Sequence, residues 1–319
     1  MDKNLNLLIG FELSEDLLEM IKDTAPEVAI RYMKREHLSQ DDFAWADVFF
    51  GWPPRQLLKH ARRLGWVHLP SAGADAYVEP GMYITDIVLT NSTGVFGIPL
   101  AEHAFAMMLS FSRDLHHYVR FQSKKMWEKL PDSVELNGKT VGVLGLGDIG
   151  TEFAKRAQIF GMKVWALKRN LSQKPNYVHQ LVGPEGLHDL LKASDYVVIA
   201  LPLTEQTHSL IGKRELELMQ PHSVLINVGR GPIVDEAALI EALQKKQIAG
   251  AGLDVFEVEP LSKDSPLWEM PNVIITPHSG GISPHASARI VDVFCHNLKL
   301  WLSDKKLEMI NVVDMEAGY

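Results

Sequence analysis

Cysteine is almost absent from this chain of 319 residues, and the single one, Cys295, cannot form an intrachain disulfide. A disulfide-stapled secreted scaffold is therefore excluded, and a reducing, cytoplasmic compartment is expected. Cys295 lies in the stretch ARIVDVFCHNLKLWL, whose helical pattern favours a buried apolar role over a reactive thiol.

Long apolar runs and an excess of positive charge are also missing. No stretch approaches the ~18 apolar residues of a membrane span, and the first apolar segment is too short for a secretory signal. Lys and Arg number 32 against 40 Asp and Glu, which gives a formal net charge of −8. No global field draws such a chain to nucleic acid or to a membrane, so an anionic small substrate would need a local basic pocket.

The composition that is present is that of a globular enzyme, with 46% apolar and 23% charged residues. A chain of this length predicts two domains, since one domain takes about 150 residues. Short apolar runs alternate with helical patterns, which predicts an α/β fold with parallel sheets and helices on both faces. The clearest series runs from Lys139 to Pro277 and is typical of a doubly wound nucleotide domain, while the strands up to about Asn91 form a smaller sheet.

The helical pattern after Pro99 predicts one long crossover helix between the domains, and the helical pattern around Cys295 predicts a helix that packs back on the N-terminal domain. His103, His116 and His117 lie in the crossover segment. Because no second cluster with metal-ligand spacing accompanies them, we expect structural roles for all three and no metal site.

A glycine pattern follows a β-rich run in VGVLGLGDIG, where Gly145, Gly147 and Gly150 form G-x-G-x-x-G before a helix-forming segment. In such a turn one glycine permits the tight bend, one lets the backbone approach a pyrophosphate, and one lets helix and strand pack closely. This strand-turn-helix context predicts a dinucleotide cofactor.

The position that usually carries an acid for the ribose hydroxyls of NAD is Lys168 here, and Arg169 follows it. Neither side chain can accept a hydrogen bond, but both can pair with a 2′-phosphate. We therefore expect NADP(H), with NAD(H) and two solvated cations as the alternative.

Further along, the motifs NVGRG, DVFEVEP and PHSGG join SAG, NSTG, AEH and LPLTEQT in an ordered series over nearly the whole chain. In these motifs the sequence resembles the D-isomer-specific 2-hydroxyacid dehydrogenases. The resemblance implies two doubly wound domains, with a Rossmann cofactor domain at 100–288 inserted in a flavodoxin-like substrate domain at 1–99. It also implies that segment 289–319 returns to the substrate domain, and that the protein is a homodimer.

The same resemblance implies a catalytic set. Arg230 would bind the substrate carboxylate and keto oxygen, His278 would be the acid/base, and Glu259 would be its carboxylate partner. The chemistry agrees, because a guanidinium fork suits a 2-oxo acid, and a carboxylate favours the charged imidazole that donates a proton to an alkoxide.

Other site residues rest on the resemblance as well. The cofactor site would include Asp148, Ile149, Pro202, Thr207, Val228, Gly229 and Asp254, the last holding the nicotinamide carboxamide unless it caps a turn. Ser71, Ala72, Gly73 and Ala74 would present backbone N–H groups to the substrate carboxylate unless they form a plain tight turn.

Two departures from the family pattern stand out: Ser279 follows the predicted catalytic histidine, and the ribose-site acid is absent. We therefore expect an NADPH-preferring reductase of small 2-oxo acids whose domains close to exclude water. The alternatives are an NAD-linked dehydrogenase of the same family and a non-catalytic NAD(P)(H)-binding partner protein. A methyltransferase could use the glycine turn but would leave Arg230, Glu259 and His278 unexplained.

Overall fold

The computed structural model describes residues 5–131 and 133–318. Segment Gly97–Ile282 forms one compact unit, and the chain on both sides of it forms the other. The predicted divisions fell after residues 99 and 288, whereas the observed ones fall before Gly97 and after Ile282, because each flanking helix belongs whole to one unit. The assignment of the units to substrate and cofactor stays a prediction.

The unit that contains the N-terminal segment is built on parallel strands: β1 (Asn6–Gly10), β2 (Ala29–Tyr32), β3 (Val48–Gly51), β4 (Trp66–His68) and β5 (Val88–Thr90). Helices lie between the strands: α1 (Glu15–Thr24), α2 (Gln40–Trp45) and α3 (Arg55–Leu58). The strand order β2-β1-β3-β4-β5 is the flavodoxin-like doubly wound order, as predicted.

The other unit begins with two helices and then alternates strands and helices. Its helices are α4 (Gly97–Ser112), α5 (Leu115–Ser123), α6 (Asp148–Ile159), α7 (Leu187–Ala193), α8 (Lys213–Leu218) and α9 (Glu236–Gln244). Its parallel strands are β6 (Thr140–Leu144), β7 (Lys163–Leu167), β8 (Gln180–Val182), β9 (Tyr196–Ile199), β10 (Val224–Asn227), β11 (Gly250–Leu253) and β12 (Val273–Ile275).

The strands of this second sheet run in the order β12-β11-β10-β9-β6-β7-β8. The chain builds outward from β6 to β8 and then crosses back to β9 on the other side of β6. In doubly wound sheets a ligand binds at such a switch point, at the carboxyl ends of the strands. The predicted Rossmann architecture is therefore confirmed.

This sheet is buried on both faces. Val197 and Ile199 of β9 pack in one core with Leu225, whereas Val198 packs in the opposite core with Ile226. A parallel strand covered on both faces reads as a continuous apolar run, which is why YVVI and VLIN lack the alternation of a half-exposed strand.

The C-terminal helix, α10 (Ala286–Leu302), packs on the five-stranded sheet. Phe294 stacks on Phe50 with ring centroids 4.3 Å apart and on Trp66 at 5.1 Å. Cys295 is buried beside it, as predicted, and burial raises the pKa of its thiol. The last helix thus completes the core of the unit that contains the N-terminal segment.

The crossover segment differs from the prediction of one helix. Helix α4 ends at Ser112, Asp114 adopts a left-handed conformation with φ 56°, and α5 starts at Leu115. The polar triplet before Leu115 explains the break, because Asp tolerates the left-handed region and the Ser112 hydroxyl donates back to Leu109 O. Apolar spacing alone missed it, since apolar residues continue on both sides. Short 3₁₀ turns complete the loops: Arg35–His37, Asp75–Tyr77, Pro184–Gly186, Gly231–Ile233, Pro266–Glu269 and Lys306–Glu308.

Candidate active site

The glycine turn between β6 and α6 has the geometry that a pyrophosphate-binding turn requires. Gly145 has φ 98°, and a Cβ on Gly150 would lie 1.9 Å from Gly145 O, so only glycine fits either position. A Cβ on Gly147, at the start of α6, would meet no atom within 4 Å. The backbone at the α6 N-terminus is therefore open to an anionic group, and the residues present fit a dinucleotide.

Two other predicted residues begin helix α6. Asp148 is its first residue and lies against Gly97 at the start of α4, where a Cβ would meet Asp148 Oδ1 at 2.3 Å. Ile149 packs on the core beneath the sheet. These contacts fix the start of α6, and with it the direction of the N–H groups of the turn.

The cation pair lies beside this turn. Gly145 N–H donates to Leu167 O at 3.1 Å, and Lys168 and Arg169 follow Leu167 directly, both exposed. Lys168 N–H is held by Val182 O at 3.0 Å. The two cations thus stand at the carboxyl end of β7, next to the strand that carries the glycine turn.

On the other side of β6, the loop after β9 is tied by the Thr207 hydroxyl, which donates to Pro202 O at 2.7 Å and accepts from Thr204 N at 2.8 Å. Val228 and Gly229 follow β10. A Cβ on Gly229 would lie 2.8 Å from Leu201 O, so the loops after β9 and β10 touch through glycine. These predicted cofactor residues therefore lie in loops or in the first turn of α6, at one edge of one sheet.

Arg230 projects from a loop whose backbone is cross-braced. Asn227 Nδ2 donates to Arg230 O at 3.0 Å, and Asn227 Oδ1 accepts from Gly229 N at 3.0 Å. The guanidinium Nη1 donates to Gly229 O at 2.9 Å, and the side chain is half-buried. A Cβ on Gly231 would lie 1.9 Å from the backbone of Phe256. Glycine at 231 therefore lets the loop of Arg230 pack directly on the loop that leads to Glu259.

His278 and Glu259, nineteen positions apart, are joined by a hydrogen bond of 2.7 Å between His278 Nδ1 and Glu259 Oε2. The other carboxylate oxygen, Oε1, accepts from Phe256 N at 3.0 Å. Because an ionised carboxylate only accepts, Nδ1 carries the proton, and Nε2 is the ring nitrogen left to exchange one. The histidine side chain is 50% exposed, so a substrate can reach it.

The backbone of His278 has φ 52°, a left-handed conformation that few non-glycine residues adopt. Its N–H donates to Asp254 O at 2.8 Å. Asp254 is completely buried, and its carboxylate accepts from Ser279 N at 2.9 Å and Gly280 N at 3.0 Å. The structure thus places Asp254 beneath the histidine loop, whereas its predicted contact with a nicotinamide carboxamide stays a prediction.

Two residues outside the predicted site join this group. The Thr276 hydroxyl donates to Asp254 Oδ1 at 2.6 Å, and His103 Nε2 lies 2.9 Å from that hydroxyl and 3.5 Å from Asp254 Oδ1. His103, expected to be merely structural, belongs to the AEH motif, and Thr276 directly precedes the PHSGG motif. Only the fold brings them together, since 173 positions separate them.

Ser71, Ala72, Gly73 and Ala74 lie in the other unit, between β4 and the turn Asp75–Tyr77. The carbonyls of all four accept hydrogen bonds, from Ser92 N, Asn91 Nδ2, the Ser71 hydroxyl and Tyr77 N respectively. Within residues 5–131 and 133–318, no group accepts a hydrogen bond from their own N–H groups. These N–H groups are therefore left for another acceptor, and their binding of a substrate carboxylate stays a prediction.

The other crossover histidines occupy structural positions. His116 Nδ1 is 3.1 Å from Ser110 O, the His116 ring lies against the tilted ring of His117 at 4.0 Å, and burial lowers the pKa of His116. Among the described residues, no group of three His, Cys, Asp or Glu side chains is placed to hold a metal ion. None of the helices in that part of the chain is long and apolar enough to cross a membrane.

Comparisons with known proteins agree with this geometry. Residues 105–280 match the family model of the D-isomer specific 2-hydroxyacid dehydrogenase NAD binding domain. The chain is 34% identical over 296 residues to a glyoxylate reductase of Pyrococcus furiosus, covering 89% of this chain and 81% of that one. It is 36% identical over 278 residues to glyoxylate/hydroxypyruvate reductase B of an Enterobacter species, covering 84% and 86% of the two chains.

A solved structure is similar over the full length. It is a D-isomer specific 2-hydroxyacid dehydrogenase of Xanthobacter autotrophicus in complex with NADPH and MES, with a TM-score of 0.86 and 30% identity, covering 99% of this chain and all of that one. The chain described here therefore belongs to the D-isomer-specific 2-hydroxyacid dehydrogenase family of NAD(P)-dependent oxidoreductases.

Proposed function

We propose that this protein reduces a small 2-oxo acid to a D-2-hydroxy acid and prefers NADPH. The observation that carries the proposal is the hydrogen-bonded pair of His278 and Glu259 at the same sheet edge as Arg230 and the glycine turn. An acid/base pair and a carboxylate-binding cation are the groups that this reduction needs. The relatives named for glyoxylate and hydroxypyruvate reduction support a small substrate.

In this proposal, His278 Nε2 donates its proton to the carbonyl oxygen as that oxygen becomes an alkoxide. Glu259 stabilises the charged imidazole and holds the ring so that Nε2 faces the reacting oxygen. General acid catalysis of this kind contributes roughly 10²–10⁴-fold to the rate.

Arg230 binds the substrate carboxylate and places positive charge beside the keto oxygen while negative charge develops there. Its braced backbone supports this role, because a fixed main chain limits where the guanidinium can reach. The N–H groups of the Ser71–Ala74 loop, which have no acceptor among the described residues, are also suited to a carboxylate, and that role stays a prediction.

A nicotinamide cofactor, when bound at the glycine turn, supplies the hydride that the keto carbon accepts. The preference for NADPH rests on Lys168 and Arg169, which stand where a ribose-binding acid would otherwise be. The Xanthobacter relative was solved with NADPH, which supports the same cofactor. An NAD-linked reaction is the second candidate, because both cations are exposed and an exposed cation at a strand end needs no ligand to explain it. A homodimer and a cytoplasmic location stay predictions.

Steady-state kinetics test the proposal. We expect the protein to oxidise NADPH with glyoxylate or hydroxypyruvate and to have a kcat/KM at least ~10-fold higher with NADPH than with NADH, because two charge-assisted contacts at about 1.5–3 kcal/mol each outweigh their desolvation. The double change Lys168→Asp with Arg169→Ala should abolish or invert that preference, and added salt should weaken NADPH binding more than NADH binding.

Lys163→Asp is the matched control, because Lys163 is an exposed cation at the opposite end of the same strand. It should leave the cofactor ratio unchanged. No turnover of any 2-oxo acid with either cofactor would favour the non-catalytic binding protein. Turnover with equal use of NADH and NADPH would keep the reductase and discard the phosphate-binding role of Lys168 and Arg169.

A further inference from the structure

Helix α4 contacts the loop of His278 at two residues, Thr276 and Gly280. His103 Nε2 lies 2.9 Å from the Thr276 hydroxyl. At Gly280 an added Cβ would lie 2.9 Å from Leu100 Cδ2, 3.0 Å from His103 Cδ2 and 2.9 Å from Asp254 Oδ2. Glycine at 280 therefore allows the helix to pack directly on the loop, and His103 is the polar side chain at that contact.

The direction of each hydrogen bond in this contact follows from the chemistry of its members. The buried carboxylate of Asp254 can only accept hydrogen bonds while it is ionised. The Thr276 hydroxyl therefore donates its proton to Asp254 Oδ1, at 2.6 Å. The oxygen of Thr276 must then accept from His103, whose Nε2 carries the proton. His103 is thus a donor at the end of the chain His103, Thr276, Asp254.

Asp254 links that chain to the backbone of His278. Its carboxylate holds Ser279 N and Gly280 N, and its carbonyl oxygen holds His278 N at 2.8 Å. His278 keeps a left-handed backbone, a conformation that persists only when its surroundings impose it. An error in the orientation of Asp254 or Thr276 would therefore move the imidazole relative to a substrate.

We propose that His103 is a positioning residue: through Thr276 and Asp254 it fixes the backbone that aims His278. This rests on the proposed reductase function, because the orientation of the His278 imidazole affects the reaction rate only if His278 transfers a proton. His103 acts without touching substrate, and its contribution is the donor at Nε2 rather than its charge.

The test compares His103→Phe, which removes the donor and keeps an aromatic ring, with His103→Gln, whose amide can donate from nearly the same reach. We expect His103→Phe to lower kcat roughly 10- to 100-fold, because misplacing a reacting group by about 1 Å can cost that much. The KM for the 2-oxo acid should change less than about threefold, since Arg230 stands on another loop. His103→Gln should recover most of the lost kcat.

Thr276→Val supplies a second variant that removes the bridging hydroxyl and keeps the branched shape. If the chain acts as a unit, the double variant His103→Phe with Thr276→Val should be no slower than the worse single variant. His117→Phe is the control, a change of the same kind on α5, where the ring lies against the tilted ring of His116. It should leave kcat unchanged, and NADPH binding by all variants would establish that they fold.

Amide hydrogen exchange gives a readout that does not depend on turnover. In His103→Phe the N–H groups of Ser279 and Gly280 should exchange faster than in the wild type, and in His103→Gln they should be protected again. Unchanged exchange, a kcat for His103→Phe within twofold of wild type, a failure of Gln to recover kcat, or additive effects in the double variant would each overturn the proposal. An inactive wild type would overturn the reductase function instead, and the exchange data would still decide whether His103 holds the loop.

Discussion

His68 and His278 are the same residue type in the two units, with opposite surroundings. His68 ends strand β4 and is completely buried, with a hydroxyl group near each ring nitrogen. His278 lies beyond β12, half exposed, with a carboxylate on one nitrogen. A hydroxyl can donate or accept and so satisfies a neutral ring, whereas a carboxylate only accepts and leaves the second nitrogen for a reaction. The difference teaches that the partner and the exposure, not the histidine, decide between structure and chemistry.

The shortest contacts around His68 give the network one direction, since the competing bond from the Thr90 hydroxyl to Val67 O is 3.5 Å long. Trp66 Nε1 can only donate, and it does so to the Thr90 hydroxyl at 2.8 Å, which leaves the proton of Thr90 for His68 Nδ1 at 2.7 Å. His68 Nε2–H then donates to the Ser92 hydroxyl at 3.3 Å, and Ser92 donates to Leu69 O at 2.9 Å. Every polar atom is used, so protonating the ring would place an unpaired charge in the core.

The largest effect that separates the two histidines is expected at His278. Changing His278→Ala should remove the proton donor and lower turnover by roughly 10²–10⁴-fold, with little change in NADPH affinity. Turnover and cofactor fluorescence titration would measure the two quantities. His285→Ala is the control, because His285 is an exposed histidine that makes no side-chain cap at the start of α10. Near-normal turnover of the His278→Ala protein would mean that His278 is not the proton donor.

The sequence predicted the glycine turn and the acid/base histidine better than the residues that hold that histidine in place. The glycine turn can be predicted because Gly145, Gly147 and Gly150 are close together in the sequence. A resemblance in motifs identifies His278. Support from Asp254, Thr276 and His103 depends on hydrogen bonds between distant segments, which no spacing rule describes. The hydrogen bonds of His68 could not be predicted either. The sequence places His68 in a strand, but its partners Thr90 and Ser92 lie more than twenty positions further along the chain.

A smaller effect is expected from acid on His68. Burial lowers the pKa of His68 to about 3, while in the unfolded chain it returns to about 6.5. The unfolded state therefore binds a proton first, so the stability that this group contributes is complete above pH ~6.5 and is lost as the pH falls toward 3. At pH 5 the loss should be about 2 kcal/mol, since each unit is worth about 1.4 kcal/mol.

Urea unfolding followed by far-ultraviolet circular dichroism and tryptophan fluorescence at several pH values between 5 and 7.5 would measure this dependence. Carboxylates titrate too, so the informative quantity is the difference from His68→Gln, whose amide can accept from Thr90 and donate to Ser92. That variant should have a shallower pH dependence of the unfolding free energy, by about one proton at pH 5. Equal slopes in the two proteins would mean that His68 does not carry the acid sensitivity.

The last effect is expected at Ser92, and it tests whether the His68 network serves stability alone. Ser92→Ala removes the hydroxyl that accepts from His68 Nε2 and should lower the free energy of unfolding by about 1–3 kcal/mol, because a buried donor is left unsatisfied. Ser223→Ala should cost less, about 0.5–1.5 kcal/mol, because Ser223 is equally buried but only donates to Ser194 O.

The activity should hardly change in Ser92→Ala. The backbone N–H of Ser92 keeps its bond to Ser71 O in the variant, so the Ser71–Ala74 loop keeps its position and kcat/KM should change less than about twofold. Denaturation midpoints and steady-state kinetics on the two alanine variants would measure both quantities. A tenfold fall in kcat/KM for Ser92→Ala would mean that the buried histidine also acts on the substrate loop, and the contrast between a structural and a chemical histidine would then fail.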